Sequence, residues 1–167
     1  MRKLIFLFLS LSMAISGFSQ STVKKYYDET IDPNAQITEA IGKASGEGKY
    51  VLCQLGGNWC KWCIRFAKFI EGDEDLKSLV DENFVYIHVN YNPRSASQGD
   101  DAATKEMLAR LGNASRFGYP ALVVLDEKGN VVHIQDSSFL ESGEGYDKGK
   151  VNRFLKNWTP AVVKGNK

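Results

Sequence analysis

A chain of 167 residues is long enough for one domain with a substantial apolar core. Its 21 lysines and arginines are balanced by 20 acidic residues, which leaves a formal net charge of +1. This balance speaks against a nucleic-acid partner, which usually requires a basic surplus, and against an acidic disordered chain.

The first 19 residues have the pattern of a secretory signal peptide. A basic start at residues 1–3 precedes a short apolar run at residues 4–15, and small residues precede a cleavage site ahead of Gln20. The apolar run is shorter than the ~20 residues that a membrane-spanning helix needs, although an uncleaved anchor is the alternative. We therefore expect residues 20–167 to form a single exported domain, periplasmic or extracellular, without membrane insertion. Disulfides persist in such compartments.

After a polar and uncertain stretch, hydrophobic periodicity predicts alternating helices and strands. Asp32-Pro33 has the residues of a helix N-cap and first turn, and Gly46 and Gly48 should stop that helix. The mostly apolar run at residues 50–55 fits a strand buried on both faces.

The second half of the chain continues this alternation. The predicted elements are helical pieces at residues 63–70 and 76–80, a strand at 84–90, a loop at 92–100, a helix at 102–111, strands at 121–125 and 131–135 joined by a hairpin turn, a glycine-rich loop at 142–149, and a helix at about 150–158. Strand–helix alternation followed by a hairpin implies a mixed sheet with helices on both faces.

The heptapeptide GNWCKWC at residues 57–63 contains the candidate reactive residues, Cys60 and Cys63. A zinc site usually takes four ligands, and one further cysteine and two strand histidines do not form a matching set. A purely structural disulfide across so small a loop removes little unfolded-state entropy. A redox pair fits the context better, because a helix N-terminus favours the thiolate of Cys60 and because Cys63 lies one turn later.

Two further features join this motif in a resemblance to a known family. Trp59-Cys60-Lys61-Trp62-Cys63 follows a predicted strand, Gly118-Tyr119-Pro120 opens a later one, and residues 126–130 turn a hairpin. On these residues the chain resembles the thioredoxin superfamily over about residues 33–158. The resemblance implies a thioredoxin-like α/β fold with a central mixed β-sheet flanked by helices on both faces.

The resemblance also implies the roles of the site residues. Cys60 would be the exposed attacking thiolate that forms a mixed disulfide with a substrate, and Cys63 would resolve it and leave a Cys60–Cys63 bridge. Pro120 would form a cis peptide bond and contact the substrate backbone. The alternative is that Pro120 only begins a strand.

Neighbouring side chains complete the candidate site. Trp59 resembles the family's tryptophan that packs under the active-site loop, and Trp59, Trp62 and Tyr119 are candidate substrate contacts. Trp62 either acts at the site, as a shield or as an apolar contact, or only caps a hydrophobic patch. Lys61 adds a positive charge that favours the Cys60 thiolate, an effect that solvent screening keeps modest.

Three departures from the family pattern stand out. Lys-Trp replaces the Gly-Pro of well-known reductases between the cysteines, so the direction of electron flow stays open. Gln54 occupies the position of a buried acid and cannot act as a base near neutral pH, which leaves water, Glu71 or Asp73 to assist Cys63. The longer stretch from Asn90 to Pro120 contains a loop that either selects partners or has no role.

The remaining chemistry-bearing residues give weaker signals. Cys53 should be a buried, inert thiol in a central strand, with pairing to another chain as the alternative. His88 and His133 are read as strand positions without function. No glycine-rich nucleotide loop is present, so we expect no cofactor besides the disulfide, no metal, and electrons from a protein partner.

These observations predict an exported thiol–disulfide oxidoreductase that reduces or rearranges disulfides in protein or peptide substrates. A protein electron donor or acceptor would complete its cycle. Two alternatives use the same residues differently: a non-catalytic binding module of the same fold, and a metal chaperone that binds through the two thiols.

Overall fold

The computed structural model describes residues 24–95 and 101–165. The predicted signal peptide, and residues 96–100 of the predicted loop, lie outside these ranges. Within them the chain forms six helices and six strands. In chain order these are α1 Pro33–Glu47, β1 Tyr50–Gly56, α2 Lys61–Gly72, α3 Glu74–Asn83, β2 Phe84–Asn90, α4 Ala102–Arg110, β3 Ala121–Leu125, β4 Val131–Asp136, β5 Glu141–Ser142, β6 Gly145–Tyr146, α5 Lys148–Asn157 and α6 Pro160–Gly165.

The main sheet of the described chain has four strands in the order β2-β1-β3-β4. β1 pairs parallel with β2 and antiparallel with β3, and β3 pairs antiparallel with β4. The predicted mixed sheet is therefore confirmed. Every residue of β1 is buried, as the run of apolar side chains predicted.

Helices cover both faces of this sheet. Successive side chains of a strand point to opposite faces, so β1 divides its residues between two apolar clusters. Cys53 and Leu55 face α1 and α4, whereas Tyr50 and Leu52 face α2, α3 and α5. By the same alternation Gln54 lies on the face that packs against α2.

Local signals explain the bounds of α1. The Asp32 carboxylate accepts a hydrogen bond from the backbone N–H of Ala35 at 2.7 Å, and Pro33 occupies the first turn. The helix continues through Gly46 and ends at Gly48, whose φ of 67° is left-handed. The prediction that Gly46 also stops the helix is wrong.

The C-terminal part differs from prediction in three ways. Residues 142–149 are not a loop, because β5 and β6 form a short antiparallel hairpin there. α5 begins at Lys148, earlier than predicted, because the Asp147 side chain caps it by accepting from the N–H of Lys150 at 2.8 Å. A further helix, α6, follows. None of the helices in the described ranges is long and apolar enough to span a membrane.

The backbone of the stretch before α1 is hydrogen-bonded to the side chain of an asparagine in the cysteine motif. We call residues 24–30 the strap. The Asn58 side-chain oxygen accepts from the N–H groups of Tyr26 and Tyr27 at 3.1 and 3.2 Å, and its amide nitrogen donates to the Tyr27 carbonyl at 2.8 Å. Tyr27 is 1% exposed. The strap is therefore fixed against the loop that carries the cysteines.

We expect Asn58→Ala to release the strap, because three hydrogen bonds to its backbone are lost. The free energy of unfolding should fall by about 1–3 kcal/mol, measured by urea denaturation. Amide exchange at Tyr26 and Tyr27 should accelerate. Asn152→Ala in α5 is the matched control and should not destabilise the fold, since alanine favours a helix interior. Unchanged exchange at both tyrosines would contradict the role of Asn58.

Candidate active site

Cys60 lies where the central strand gives way to a helix. β1 ends at Gly56, and the N–H of Cys60 then donates to the Gly57 carbonyl at 3.0 Å in a turn. Cys60 is the N-cap of α2, and its sulfur accepts from the N–H of Cys63 at 3.1 Å. The predicted position of Cys60 at a helix N-terminus is confirmed. Unpaired N–H groups and the positive end of the helix dipole surround the sulfur there.

The two cysteines form a disulfide with a Cα–Cα distance of 5.2 Å. Cys60 is 7% exposed and Cys63 is fully buried. Cys60 is therefore the outer sulfur, as expected, but it is much less open than the exposed thiolate that the resemblance implied. The cause is its bond to a buried partner, together with the packing of Trp62 and Tyr119 against the cysteine cluster.

Gly56 makes room for the inner sulfur. A Cβ built at Gly56 would overlap the Cys63 sulfur and would lie 3.1 Å from the Tyr27 hydroxyl oxygen. Gly57 has a similar role, because a Cβ there would lie 2.5 Å from the Trp59 indole nitrogen. No local signal in the sequence indicates these close approaches.

Of the predicted substrate-contact residues, Trp62 and Tyr119 pack against the cysteine cluster. Trp59 is 42% exposed, donates its indole N–H to the Tyr91 carbonyl at 3.1 Å, and packs edge-on against Tyr119 at 5.3 Å between ring centroids. Pro120 is buried, and the Tyr119–Pro120 peptide bond is cis.

The two residues between the cysteines point in different directions. Trp62 is half-buried and packs edge-on against Tyr146 at 5.6 Å, with the Arg65 guanidinium 4.8 Å from its ring centroid. Lys61 is exposed on the first turn of α2. Trp62 therefore covers the apolar cluster beside the disulfide, whereas the Lys61 ammonium remains in solvent.

Gln54 is fully buried and lies at the centre of a polar network next to Cys63. Its amide nitrogen donates to the Tyr27 hydroxyl at 2.5 Å and to the Cys63 carbonyl at 2.8 Å. Its amide oxygen accepts from the Tyr86 hydroxyl. Sequence reasoning found Gln54 but missed both tyrosines, because the strap carries no predictable element and Tyr86 reads only as a strand residue.

The acids proposed to assist Cys63 are engaged on the surface. Glu71 accepts from the Tyr26 hydroxyl at 2.7 Å and from Lys24, and the Lys24 hydrogen bond lowers its pKa most. Asp73 caps α3 and pairs with Lys148 at 2.9 Å, which lowers its pKa. Both carboxylates are thus held by surface cations and not by the cysteine cluster.

Of the other titratable residues singled out from the sequence, Cys53 is buried, whereas His88 and His133 are partly buried strand residues, in β2 and β4 respectively. Cys53 is an unpaired, fully buried thiol on the opposite face of β1, and burial raises its pKa well above the ordinary value. Burial lowers the pKa of His88 to about 4. In the part of the chain that the structure describes, no cluster of three or more His, Cys, Asp or Glu side chains could hold a metal ion.

Comparisons with known proteins agree with this geometry. A family model described as thioredoxin-like domain matches residues 37–136. The thiol:disulfide interchange protein DsbD of Colwellia psychrerythraea is 24% identical over 111 residues, which cover 66% of this chain but only 17% of that protein.

Two solved structures share the fold. The disulphide isomerase of Xylella fastidiosa Temecula1 superposes with a TM-score of 0.68 and 20% identity, covering 81% of this chain and 98% of its own. A thioredoxin from Thermus thermophilus superposes with a TM-score of 0.52 and 17% identity, covering 78% and 88%.

We expect Gly56→Ala to displace the Cys63 side chain, because the added methyl group and the sulfur need the same space. The free energy of unfolding of the oxidised protein should fall by about 1–3 kcal/mol, measured by urea denaturation. Gly42→Ala in α1 is the control: nothing lies within 4 Å of its Cβ, and alanine should stabilise the helix by about 0.5–1 kcal/mol. Equal stability of the two variants would disprove the close contact.

Proposed function

Because the chain belongs to the thioredoxin-like domain family, we propose that it is an exported thiol–disulfide oxidoreductase that reduces or rearranges disulfides in other proteins or peptides. One observation carries the proposal. The outer sulfur of a short-range disulfide is the N-cap of α2, and its partner is sealed beneath it. Such an arrangement suits the outer sulfur to meet a substrate and the inner sulfur to resolve the mixed disulfide.

The first step uses the position of Cys60. In the reduced protein its thiolate is stabilised by the N-terminus of α2, where the Cys63 N–H already points at the sulfur at 3.1 Å. The thiolate attacks one sulfur of a substrate disulfide. A mixed disulfide forms, and the other substrate sulfur leaves as a thiolate.

The second step uses the burial of Cys63. A fully buried sulfur cannot meet a protein substrate directly, but it lies next to Cys60. Its thiolate attacks the Cys60 sulfur, the second substrate thiolate leaves, and the Cys60–Cys63 bond re-forms. Two electrons have then passed to the substrate, and a protein donor must return them. Run backwards, the same steps oxidise a dithiol.

The surface around Cys60 suits an extended, partly apolar substrate. Tyr119 and Trp62 pack against the cysteine cluster, and Trp59 packs edge-on against Tyr119. We assign Pro120 as the residue that contacts the substrate backbone next to the reacting sulfur. Lys61, exposed at the start of α2, adds a solvent-screened positive charge that favours the Cys60 thiolate.

The proposal of export is supported by the sequence of residues 1–19 and by the disulfide chemistry of the site. Residues 1–19 have a signal-peptide pattern, and the periplasm or extracellular space is where substrate disulfides persist. The thioredoxin-like domain of this chain would therefore act on exported proteins and exchange electrons with a protein partner there.

We expect Cys60→Ala to abolish the acceleration of insulin reduction by dithiothreitol that the wild-type protein provides, so that only the uncatalysed rate remains. Cys63→Ser should instead accumulate a mixed disulfide between Cys60 and the substrate, detectable by mass spectrometry. Cys53→Ser is the matched control and should retain activity, because this thiol is buried on the opposite face of β1. Full activity in Cys60→Ala would refute the proposed function.

We expect the Cys60–Cys63 couple to have a reduction potential at or below the roughly −180 mV of protein disulfide isomerase. Equilibration with glutathione buffers, followed by alkylation of free thiols, measures this potential. A reductase or isomerase requires such a value, since its disulfide must not be strongly oxidising. A potential of about −120 mV would identify an oxidase and contradict the proposed reductase or isomerase activity.

A further inference from the structure

The resolving step requires ionisation of a sulfur that is fully buried. Cys63 is 0% exposed, and burial in apolar surroundings opposes the formation of a thiolate. Some group beside Cys63 must therefore offer a hydrogen bond when its thiol loses a proton. Gln54 is the nearest polar side chain on β1, but its amide N–H groups already donate to Tyr27 and to the Cys63 carbonyl.

Apart from the sulfur of Cys60 at the start of α2, the titratable groups around Cys63 and Tyr27 are neutral near pH 7. In the described chain these are Tyr26 from the strap, Tyr86 and His88 from β2, Tyr146 from β6, and Tyr119 from the loop before β3. Burial raises the pKa of Tyr26 and Tyr119 to about 12 and lowers that of His88 to about 4. The Glu71 carboxylate, which accepts from the Tyr26 hydroxyl, is paired with Lys24 at the surface.

Tyr27 brings a hydroxyl to the buried sulfur from the strap. It belongs to the same buried cluster as Cys60 and Cys63, and its oxygen and the Cys63 sulfur both border the space that a Cβ at Gly56 would occupy. The Tyr27 oxygen accepts the hydrogen bond from Gln54, so its own proton points away from that amide. Among the described residues, that accepted bond is the single hydrogen bond found for this hydroxyl.

We propose that the Tyr27 hydroxyl donates a hydrogen bond to the Cys63 thiolate while the mixed disulfide is resolved, with Gln54 and Tyr86 holding the hydroxyl in position. This inference rests on the proposed function. Tyr27 is thus a positioning residue: it stabilises the attacking sulfur and does not touch the substrate. A neutral donor from the strap takes the place that a carboxylic acid at residue 54 would otherwise fill.

The resolving step forms one sulfur–sulfur bond and breaks another. Cys63 loses its proton to solvent, and its thiolate attacks the Cys60 sulfur. The sulfur–sulfur bond between Cys60 and the substrate breaks, and the substrate leaves as a thiolate. Tyr27 keeps its proton throughout, because burial raises its pKa well above the ordinary value and makes it a donor and not a base.

A single-turnover experiment separates the two steps. Fully reduced protein is mixed in a stopped-flow instrument with dithiobis-nitrobenzoate, an aromatic disulfide whose released thiolate is coloured. Attack by Cys60 releases the first thiolate, and attack by Cys63 releases the second. Two phases of absorbance change therefore report on the two sulfurs separately.

We expect Tyr27→Phe to keep the first phase at the wild-type rate and to slow the second about tenfold or more at pH 7. The midpoint of the second phase's pH profile should rise by about one unit, because the thiolate has lost a donor. Tyr26→Phe is the matched control. It removes the neighbouring hydroxyl of the strap, which donates to Glu71, and should leave both phases unchanged.

The possible results distinguish the role of Tyr27 from the proposed function. An unchanged second phase and pH profile in Tyr27→Phe would overturn the role of Tyr27 while leaving the proposed function intact. Absence of a first phase in the wild type would overturn the proposed function itself. Should Tyr27→Phe fail to fold, Tyr86→Phe takes its place, since it frees the Gln54 amide that holds Tyr27. A slower second phase there supports the proposal, and an unchanged one refutes it.

Discussion

The Cys60 sulfur is both a helix cap and half of a disulfide, and the rest of the site depends on this double role. As the N-cap of α2 it accepts the N–H of Cys63, and as half of a disulfide it is bonded to that same residue's side chain. The sulfur thereby pairs an N–H group in the first turn of the helix that would otherwise lack an intrahelical partner. One atom therefore takes part in both the helix cap and the redox chemistry.

The buried Cys63 residue constrains which residues β1 can have below it. Cys63 needs the space over Gly56, and its carbonyl needs the amide of Gln54. A buried amide destabilises a fold unless its donors and acceptor are paired, and here Tyr27, Tyr86 and the Cys63 carbonyl pair all of them. The strap is thus part of the site, because without Tyr27 one buried N–H group would have no partner.

Local patterns predicted the elements that local interactions determine. Asp32-Pro33 predicted a helix start through capping chemistry, and the apolar run of β1 predicted a buried strand. The strap could not be predicted in this way, since its order depends on Asn58, 31 positions away from Tyr27. The same applies to the reduced exposure of Cys60, which depends on side chains from separate parts of the chain.

Neutral surroundings determine how this site responds to pH. His88 has a pKa of about 4 because of burial, the nearby tyrosines keep their protons well above neutrality, and Gln54 does not titrate. Near neutral pH the two sulfurs are thus the groups of this cluster that change charge. As the pH falls from the ordinary 6.5 of histidine towards 4, the unfolded chain binds a proton that buried His88 does not. Acid therefore destabilises the fold over this pH range, whereas the redox step itself depends on the ionisation of the two thiols.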